Sequence, residues 1–131
     1  LIDGNLRQPS LHIAFPADER SDPQRAGLTN LLMGECTYRE AVSPSAVAGL
    51  DLIYAGQSMP NPAELLAGHR MKGLIENAAK DYDRVIIDSP PVLLVSDVKM
   101  LARLADATLL VFNAATTKRG AAERSSLRPG L

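Results

Sequence analysis

The sequence has 131 residues, of which 46% are hydrophobic and 22% charged, and its formal net charge is −1 at pH 7. This composition indicates one globular domain and excludes a disordered chain. The near-zero charge gives no general attraction to nucleic acid or acidic lipid, so we expect no nucleic-acid partner. The longest apolar runs, such as ATLLVF, are too short to cross a bilayer, and the single Cys36 excludes an internal disulfide.

Read in chain order, the sequence alternates apolar strands with helices. The predicted elements are a strand end at 1–2, a loop at 7–24, a helix at 26–35, a helical turn at 38–42, a strand at 50–56, two helices within 59–83, a strand at 84–88, a loop at 89–95, a helix at 97–105 and a strand at 107–114. Such alternation predicts an α/β domain with a mostly parallel sheet.

Glycine, proline and capping residues set the expected helix boundaries. Gly34 is a plausible C-terminal stop for the first helix. Asn61 is the expected N-cap of the next helix, with Pro62 in its first turn and Glu64 as the capping-box partner. Gly68 is expected to break that helix from the one that follows.

The strands at 84–88 and 107–114 contain unbroken apolar runs instead of alternating patterns. Runs of this kind are typical of strands covered on both faces, as in parallel sheets. We therefore expect both strands to be buried. Ser96 is the expected N-cap of the helix between them.

Two of the predicted strands end in a carboxylate, Asp3 in LID and Asp88 in VIID. Ligands of open parallel sheets bind at the carboxyl edge of the strands. Two acids at that edge suit a hard cation such as Mg²⁺, which proteins hold through one or two carboxylates together with phosphates. The alternative is that each Asp merely ends its strand and meets solvent.

The flanks of these two acids resemble motifs of the bacterial tyrosine kinases. LIDGNLRQP is similar to their hhhDxDxR element (h, apolar), the Walker A′ motif, and VIIDSPP is similar to their hhhDxxP element, the Walker B motif. PNPAELL with HRMKGLIENAAKDYDRVIIDSPP resembles the stretch that leads into Walker B, and VSDVKMLARLADATLLV resembles the next helix and strand. Any one motif is weak, but four in the right order are fairly specific.

The resemblance implies a three-layer P-loop NTPase-like α/β domain with a mostly parallel sheet, here lacking its P-loop strand and first helix. Residues 1–118 would form part of this domain, from Walker A′ to the last core strand, and 119–131 would begin a helix or form a disordered tail. The implied activity is transfer of the γ-phosphate of ATP to tyrosine, in control of capsular or extracellular polysaccharide synthesis and export.

The resemblance also implies roles for individual residues. Asp3 and Asp88 would hold Mg²⁺, partly through water, and Asn5 occupies the second acidic position of DxDxR. Arg7 would lie at the phosphate end or at a subunit contact, with a solvated loop charge as the alternative. Asn113 is a candidate for contact with the adenine base, and a turn residue is the alternative.

The implied partners are a transmembrane polysaccharide co-polymerase and further copies of the chain in a ring. The implied location is the cytoplasmic side of the plasma membrane.

The sequence departs from the family in three respects. It contains no G-x-x-x-x-G-K-[ST], the loop that cradles phosphates, so we expect a fragment that is inactive by itself, with an exposed strand edge and weak protection of the strand that begins at Leu1. Asn5 cannot take a proton as an aspartate would. The tyrosine-rich C-terminal tail is also absent, since the three tyrosines are scattered.

Two other functions stay open from the sequence. One is a partition ATPase of the MinD/ParA group, which shares the deviant P-loop class but switches between monomer and dimer. DxDxR and DSPP favour the kinase over this group. The other is a non-catalytic regulatory module that docks on the co-polymerase, supported by Asn5 and the missing loop.

Overall fold

The computed structural model describes residues 1–16, 26–91, 97–113, 115, 117 and 120. Four short strands and six helices are assigned within them. In chain order they are β1 (Ile2–Asp3), α1 (Leu11–Ala14), α2 (Leu28–Met33), α3 (Tyr38–Ala41), β2 (Ser43–Pro44), β3 (Asp51–Leu52), α4 (Pro62–Ala67), α5 (His69–Asp81), β4 (Ile87–Asp88) and α6 (Asp97–Ala102). The expected cap Ser96 and the tail at 119–131, apart from residue 120, lie outside the described residues.

β1 lies between two parallel neighbours. On one side it pairs with β4, and on the other Ile2 bridges to Ile53 at the end of β3. The Asp3 amide donates to the Ile53 carbonyl at 2.9 Å, and the Gly4 amide donates to the Asp88 carbonyl at 2.8 Å. The expectation of weak protection is therefore wrong for the strand that begins at Leu1, because backbone hydrogen bonds are formed along both of its edges.

One apolar core joins the strands to the helices. Its buried members come from β1 and the loop after it, from the residues that follow β3, and from helices α2 to α6. They are Ile2, Leu6, Leu28, Leu32, Ala41, Ile53, Ala55, Leu66, Met71, Leu74 and Leu101. The helical spacing of Met71, Leu74, Ile75 and Ala78 predicts one apolar face of α5. Met71, Leu74 and Ala78 are buried, and Ile75 is half-buried against the core. This core fixes the sheet edge where the strand-ending acids lie.

The helix ends predicted at Gly34 and Gly68 are observed, whereas the N-cap predicted at Asn61 is not formed. Gly34 ends α2 in the left-handed conformation, with φ +82°, and α4 and α5 are separated at Gly68. Pro62 is the first residue of α4, but the Asn61 side chain makes no capping hydrogen bond. The expected capping box with Glu64 is therefore wrong: at φ −132° and ψ 69°, Asn61 lies outside the extended backbone region typical of an N-cap.

The two strands predicted to be buried are more exposed than expected. Ile86, just before β4, is 59% exposed, and no described strand pairs with the edge of β4 that faces away from β1. Residues 107–113 form no strand, and Leu109 and Val111 are 87% and 84% exposed. Both expectations of burial fail, because an apolar run is covered only where neighbouring elements pack on it.

We expect the 131-residue chain to self-associate through an apolar strip formed by Leu109, Val111 and Phe112, because exposed apolar strand-like segments pair with other chains. The double variant Leu109→Lys/Val111→Lys should shift the sedimentation profile toward monomer. Ile13→Lys, at another exposed apolar residue, is the matched control. A wild-type chain that stays monomeric and unfolds cooperatively would contradict this expectation.

The Tyr82 hydroxyl, at the end of α5, donates a 2.6 Å hydrogen bond to Oδ2 of Asp51 in β3. This bond, together with burial, raises the pKa of Tyr82 above its ordinary value. The raised pKa means that the bond contributes stability fully below about pH 10, the ordinary tyrosine pKa, and that the contribution is lost as the pH rises through the folded-state pKa.

Tyr82→Phe is therefore expected to lower the free energy of unfolding by about 1 kcal/mol at neutral pH, with the deficit shrinking in strong alkali. Denaturant titrations between neutral and alkaline pH measure this. Asp51→Asn should bring Tyr82 ionisation, followed by tyrosinate absorbance, to lower pH. An unchanged tyrosinate titration in Asp51→Asn would count against the bond.

No helix within the described ranges has the length and apolar content needed to span a membrane.

Candidate functional site

The two strand-ending acids lie side by side. β1 and β4 are parallel, and Asp3 is the register partner of Asp88. Neighbouring strands of a sheet are about 4.8 Å apart, so the two residues leave the sheet at the same edge. The sequence predicted this meeting from the position of each acid at its strand end, although 84 residues separate them in the chain (88 − 3 − 1).

The Asp3 carboxylate is enclosed by the loop that follows β1. It is 1% exposed; Oδ1 accepts the Asn5 amide and Oδ2 accepts the Leu11 amide, each at 3.2 Å. Burial raises the pKa of Asp3, the two amide hydrogen bonds oppose that shift, and the negative charge of Asp88 adds to it. Asp3 is thus a buried acid held in one orientation beside a second acid.

Neither acid has a basic partner within the part of the chain that the structure describes. The ion pairs found there are Arg7–Asp97 and Lys72–Glu76. No group of three potential metal ligands occurs among the same residues. Two adjacent carboxylates without a countercharge fit a hard divalent cation whose remaining ligands come from water or phosphate.

Gly4 allows the close approach of the two strand ends, a role that the sequence analysis missed. A Cβ there would lie 2.7 Å from the Asp88 carbonyl oxygen and 3.0 Å from side-chain atoms of Ile87 and Leu101. The sequence feature that could have predicted this close approach is a glycine directly after the acid that ends the strand. Only a residue without a side chain lets the backbone after Asp3 pass this close to β4 and α6.

Asn5 and Arg7 organise the same loop. The Asn5 side-chain oxygen accepts the Gln8 amide at 3.2 Å, so the amide at the second DxDxR position supports a turn. The Arg7 guanidinium contacts the chain's own Asp97, with Nε 2.7 Å from Oδ2 and a terminal nitrogen 3.2 Å from Oδ1. A phosphate or subunit role for Arg7 stays a prediction, and Asp97 is a partner that the sequence analysis missed.

Asn113 lies in a turn of its own. Its side-chain oxygen accepts the Ala115 amide at 2.9 Å, and its backbone amide donates to the Thr117 hydroxyl at 3.1 Å. No hydrogen bond joins it to Asp3 or Asp88 among the described residues. The structure brings Asp3, Asn5, Arg7 and Asp88 to one sheet edge or its loop, and an adenine contact by Asn113 stays a prediction.

Solved structures place this architecture in a known class. The kinase domain of Escherichia coli tyrosine kinase ETK is 34% identical and superposes with a TM-score of 0.86, over 95% of this chain and 47% of that one. The chimerical protein CapA2B2 is 31% identical, with a TM-score of 0.71 over 79% of this chain and 43% of that one. The fold is thus that of an α/β P-loop NTPase-like domain, of which the chain matches a part.

Curated relatives show the same similarity. Tyrosine-protein kinase YwqD of Bacillus subtilis (strain 168) is 38% identical over 95% of this chain and 51% of its own length. No family model matches the sequence. The chain is similar to part of the bacterial tyrosine-protein kinases, and it spans about half the length of the first relatives that it matches.

Proposed function

We propose that this chain forms the metal-binding half of a kinase domain that transfers the γ-phosphate of ATP to protein tyrosine. The observation that carries the proposal is the in-register pair Asp3 and Asp88 at the carboxyl edge of a parallel sheet, with no basic partner among the described residues. The similarity to tyrosine-protein kinases over 95% of the chain supports the same activity.

Asp3 and Asp88 would hold Mg²⁺, which in phosphoryl transfer neutralises charge on the β- and γ-phosphates. Asp3 is suited to holding a fixed orientation, since both of its oxygens accept backbone amides. The half-buried Asp88 is the more accessible acid of the two. The exposed side of Arg7, whose side chain is 41% accessible, can still face the phosphates.

Proton transfer is not assigned to Asn5. Its amide cannot take a proton, and its oxygen already accepts the Gln8 amide. Asp3 is assigned to Mg²⁺, and a carboxylate beside a cation is a weak proton acceptor. We therefore propose that these residues act by positioning and by charge, the main sources of catalysis in phosphoryl transfer.

The phosphate cradle is not supplied by these 131 residues, which contain no G-x-x-x-x-G-K-[ST]. The test therefore uses the protein expressed from its complete reading frame. Incubation with ATP and Mg²⁺ should produce phosphotyrosine on immunoblots, and chelation of Mg²⁺ should abolish it. ATP-driven dimerisation without phosphotyrosine would favour a MinD/ParA-type ATPase instead.

A non-catalytic regulatory module is the second candidate, and Asn5 is the observation that favours it. Such a module would dock on a polysaccharide co-polymerase without phosphorylating tyrosine. It predicts no phosphotyrosine, no ATP turnover and no ATP-driven dimerisation. Recovery of activity on Asn5→Asp would indicate a kinase weakened at this position.

The proposed setting is control of capsular or extracellular polysaccharide export at the cytoplasmic side of the membrane. The proposed partners are a transmembrane co-polymerase and neighbouring copies in a ring. Co-purification from membranes with the co-polymerase is the corresponding test.

A further inference from the structure

The contact between Arg7 and Asp97 joins two parts of the chain that are far apart in sequence. Two hydrogen bonds of 2.7 and 3.2 Å connect the guanidinium to both carboxylate oxygens, in the forked geometry that only arginine provides. Asp97 is the first residue of α6 and is 1% exposed. We call this contact the Arg7–Asp97 clasp.

Arg7, one of the two residues of the clasp, lies within the loop that encloses Asp3. Arg7 stands between Asn5 and Leu11, the two residues whose amides donate to the Asp3 carboxylate. Helix α6 also supplies Leu101, which lies directly against Gly4. The clasp therefore attaches this loop, which orients Asp3, to α6. The same helix packs behind the strand ends.

Stability alone is a weak explanation for this arrangement. The Asp97 side chain is buried, whereas that of Arg7 is 41% exposed. Desolvating the buried carboxylate costs free energy, and its attraction to Arg7 often only offsets that cost. Both hydrogen bonds described for the Asp97 carboxylate come from Arg7. What the pair adds, beyond any stability, is a fixed distance between α6 and the middle of the loop.

We propose that Asp97 is a positioning residue, which acts through Arg7 to hold residues 5–11 against Asp3 and so keeps Asp3 oriented beside Asp88. This inference rests on the proposed function, in which those two acids hold Mg²⁺. Residues that orient a metal ligand from behind typically change metal affinity by roughly 10–100-fold when replaced. The clasp is expected to act in that range.

The test compares Asp97→Asn with Glu76→Gln in the protein expressed from its complete reading frame. Glu76 forms the exposed ion pair with Lys72, so Glu76→Gln makes the same acid-to-amide change away from the site. In Asp97→Asn the Mg²⁺ concentration for half-maximal tyrosine phosphorylation should rise roughly 10–100-fold, while kcat at saturating Mg²⁺ stays close to wild type. Glu76→Gln should change neither.

Amide hydrogen exchange gives a readout that does not depend on activity. In Asp97→Asn the amides of Asn5 and Leu11 should exchange faster, while that of Ala78, in α5, keeps its wild-type rate. Arg7→Lys keeps the charge but loses the fork, so it should fall between wild type and Asp97→Asn in both readouts. If Asp97→Asn does not fold, the amide exchange rates of Arg7→Lys carry the test, because a contact of Arg7 with phosphate would change kcat by itself.

A lower kcat with an unchanged Mg²⁺ requirement would overturn the inference, because a purely stabilising contact lowers only the active fraction. If the wild-type protein makes no phosphotyrosine, the proposed function fails by itself. The exchange rates then decide: unchanged rates at Asn5 and Leu11 would overturn the clasp, and selectively faster rates would support it.

Discussion

Replacing Asp88 with Asn is expected to lower tyrosine phosphorylation by about a hundredfold or more, because removal of one preorganised electrostatic group from a phosphoryl-transfer site costs at least that much. The change keeps the size of the side chain but removes one of two adjacent charges. The measurement is the initial rate of phosphotyrosine formation at saturating ATP and Mg²⁺.

The same variant should be at least as stable as the wild type. The charge of Asp88 raises the pKa of Asp3, which means that the two carboxylates repel one another in the folded chain. Removing one charge relieves that repulsion, so the free energy of unfolding should stay equal or rise. Lost activity with retained stability is the mark of a residue kept for function.

Asp88 is a cleaner target than Asp3. Asp3→Asn would leave the Asn5 or Leu11 amide facing an NH₂ group, and an unsatisfied buried donor costs about 1–3 kcal/mol. Asp83→Asn is the matched control, since Asp83 is exposed and lies before the same strand. Full Mg²⁺-dependent activity in Asp88→Asn would contradict the proposed metal site.

Gly27→Ala is expected to lower the free energy of unfolding by about 3 kcal/mol or more, the upper range for overpacking. A Cβ at Gly27 would lie 2.4 Å from the Gly56 nitrogen, 2.5 Å from its Cα and 2.6 Å from the Tyr54 carbonyl oxygen. All three are backbone atoms, so no side chain can move aside. The backbone of Gly27 is extended, at φ −124°, and alanine adopts that conformation freely.

The steric cost extends to the start of α2. The amides of Leu28 and Thr29 donate to the Tyr54 and Ala55 carbonyls at 2.7 and 2.9 Å, and a shift of Gly27 would lengthen both hydrogen bonds. These bonds attach α2 to the chain that follows β3. Loss of the attachment would therefore loosen the core on that side of the sheet.

Gly73→Ala is the control for this prediction. Gly73 lies inside α5 with nothing within 4 Å of its added Cβ, so alanine should stabilise the helix by about 1 kcal/mol. Denaturant unfolding of both variants measures the contrast. Equal and small effects at the two positions would show that the contact between Gly27 and Gly56 is looser than described.

Local signals predicted most of the helices. Helices begin or end at Pro62, Gly34 and Gly68 because of the backbone conformations that proline and glycine favour. This effect is local and needs no distant partner. Asn61 failed as a cap because an Asn side chain caps only when the backbone around it takes the right conformation. The helical turn α1 lies inside a stretch that was expected to be a loop, and four residues are too few to show a helical pattern.

The sequence by itself determined the α/β class, the resemblance to bacterial tyrosine kinases and the placement of Asp3 and Asp88 at strand ends, because strand ends and motif spacing depend on consecutive residues. Only the tertiary structure decided that β1 lies between two neighbours, that 107–113 is exposed, and that Arg7 meets Asp97. Pairing and burial depend on which distant elements pack together, and no local pattern contains that information.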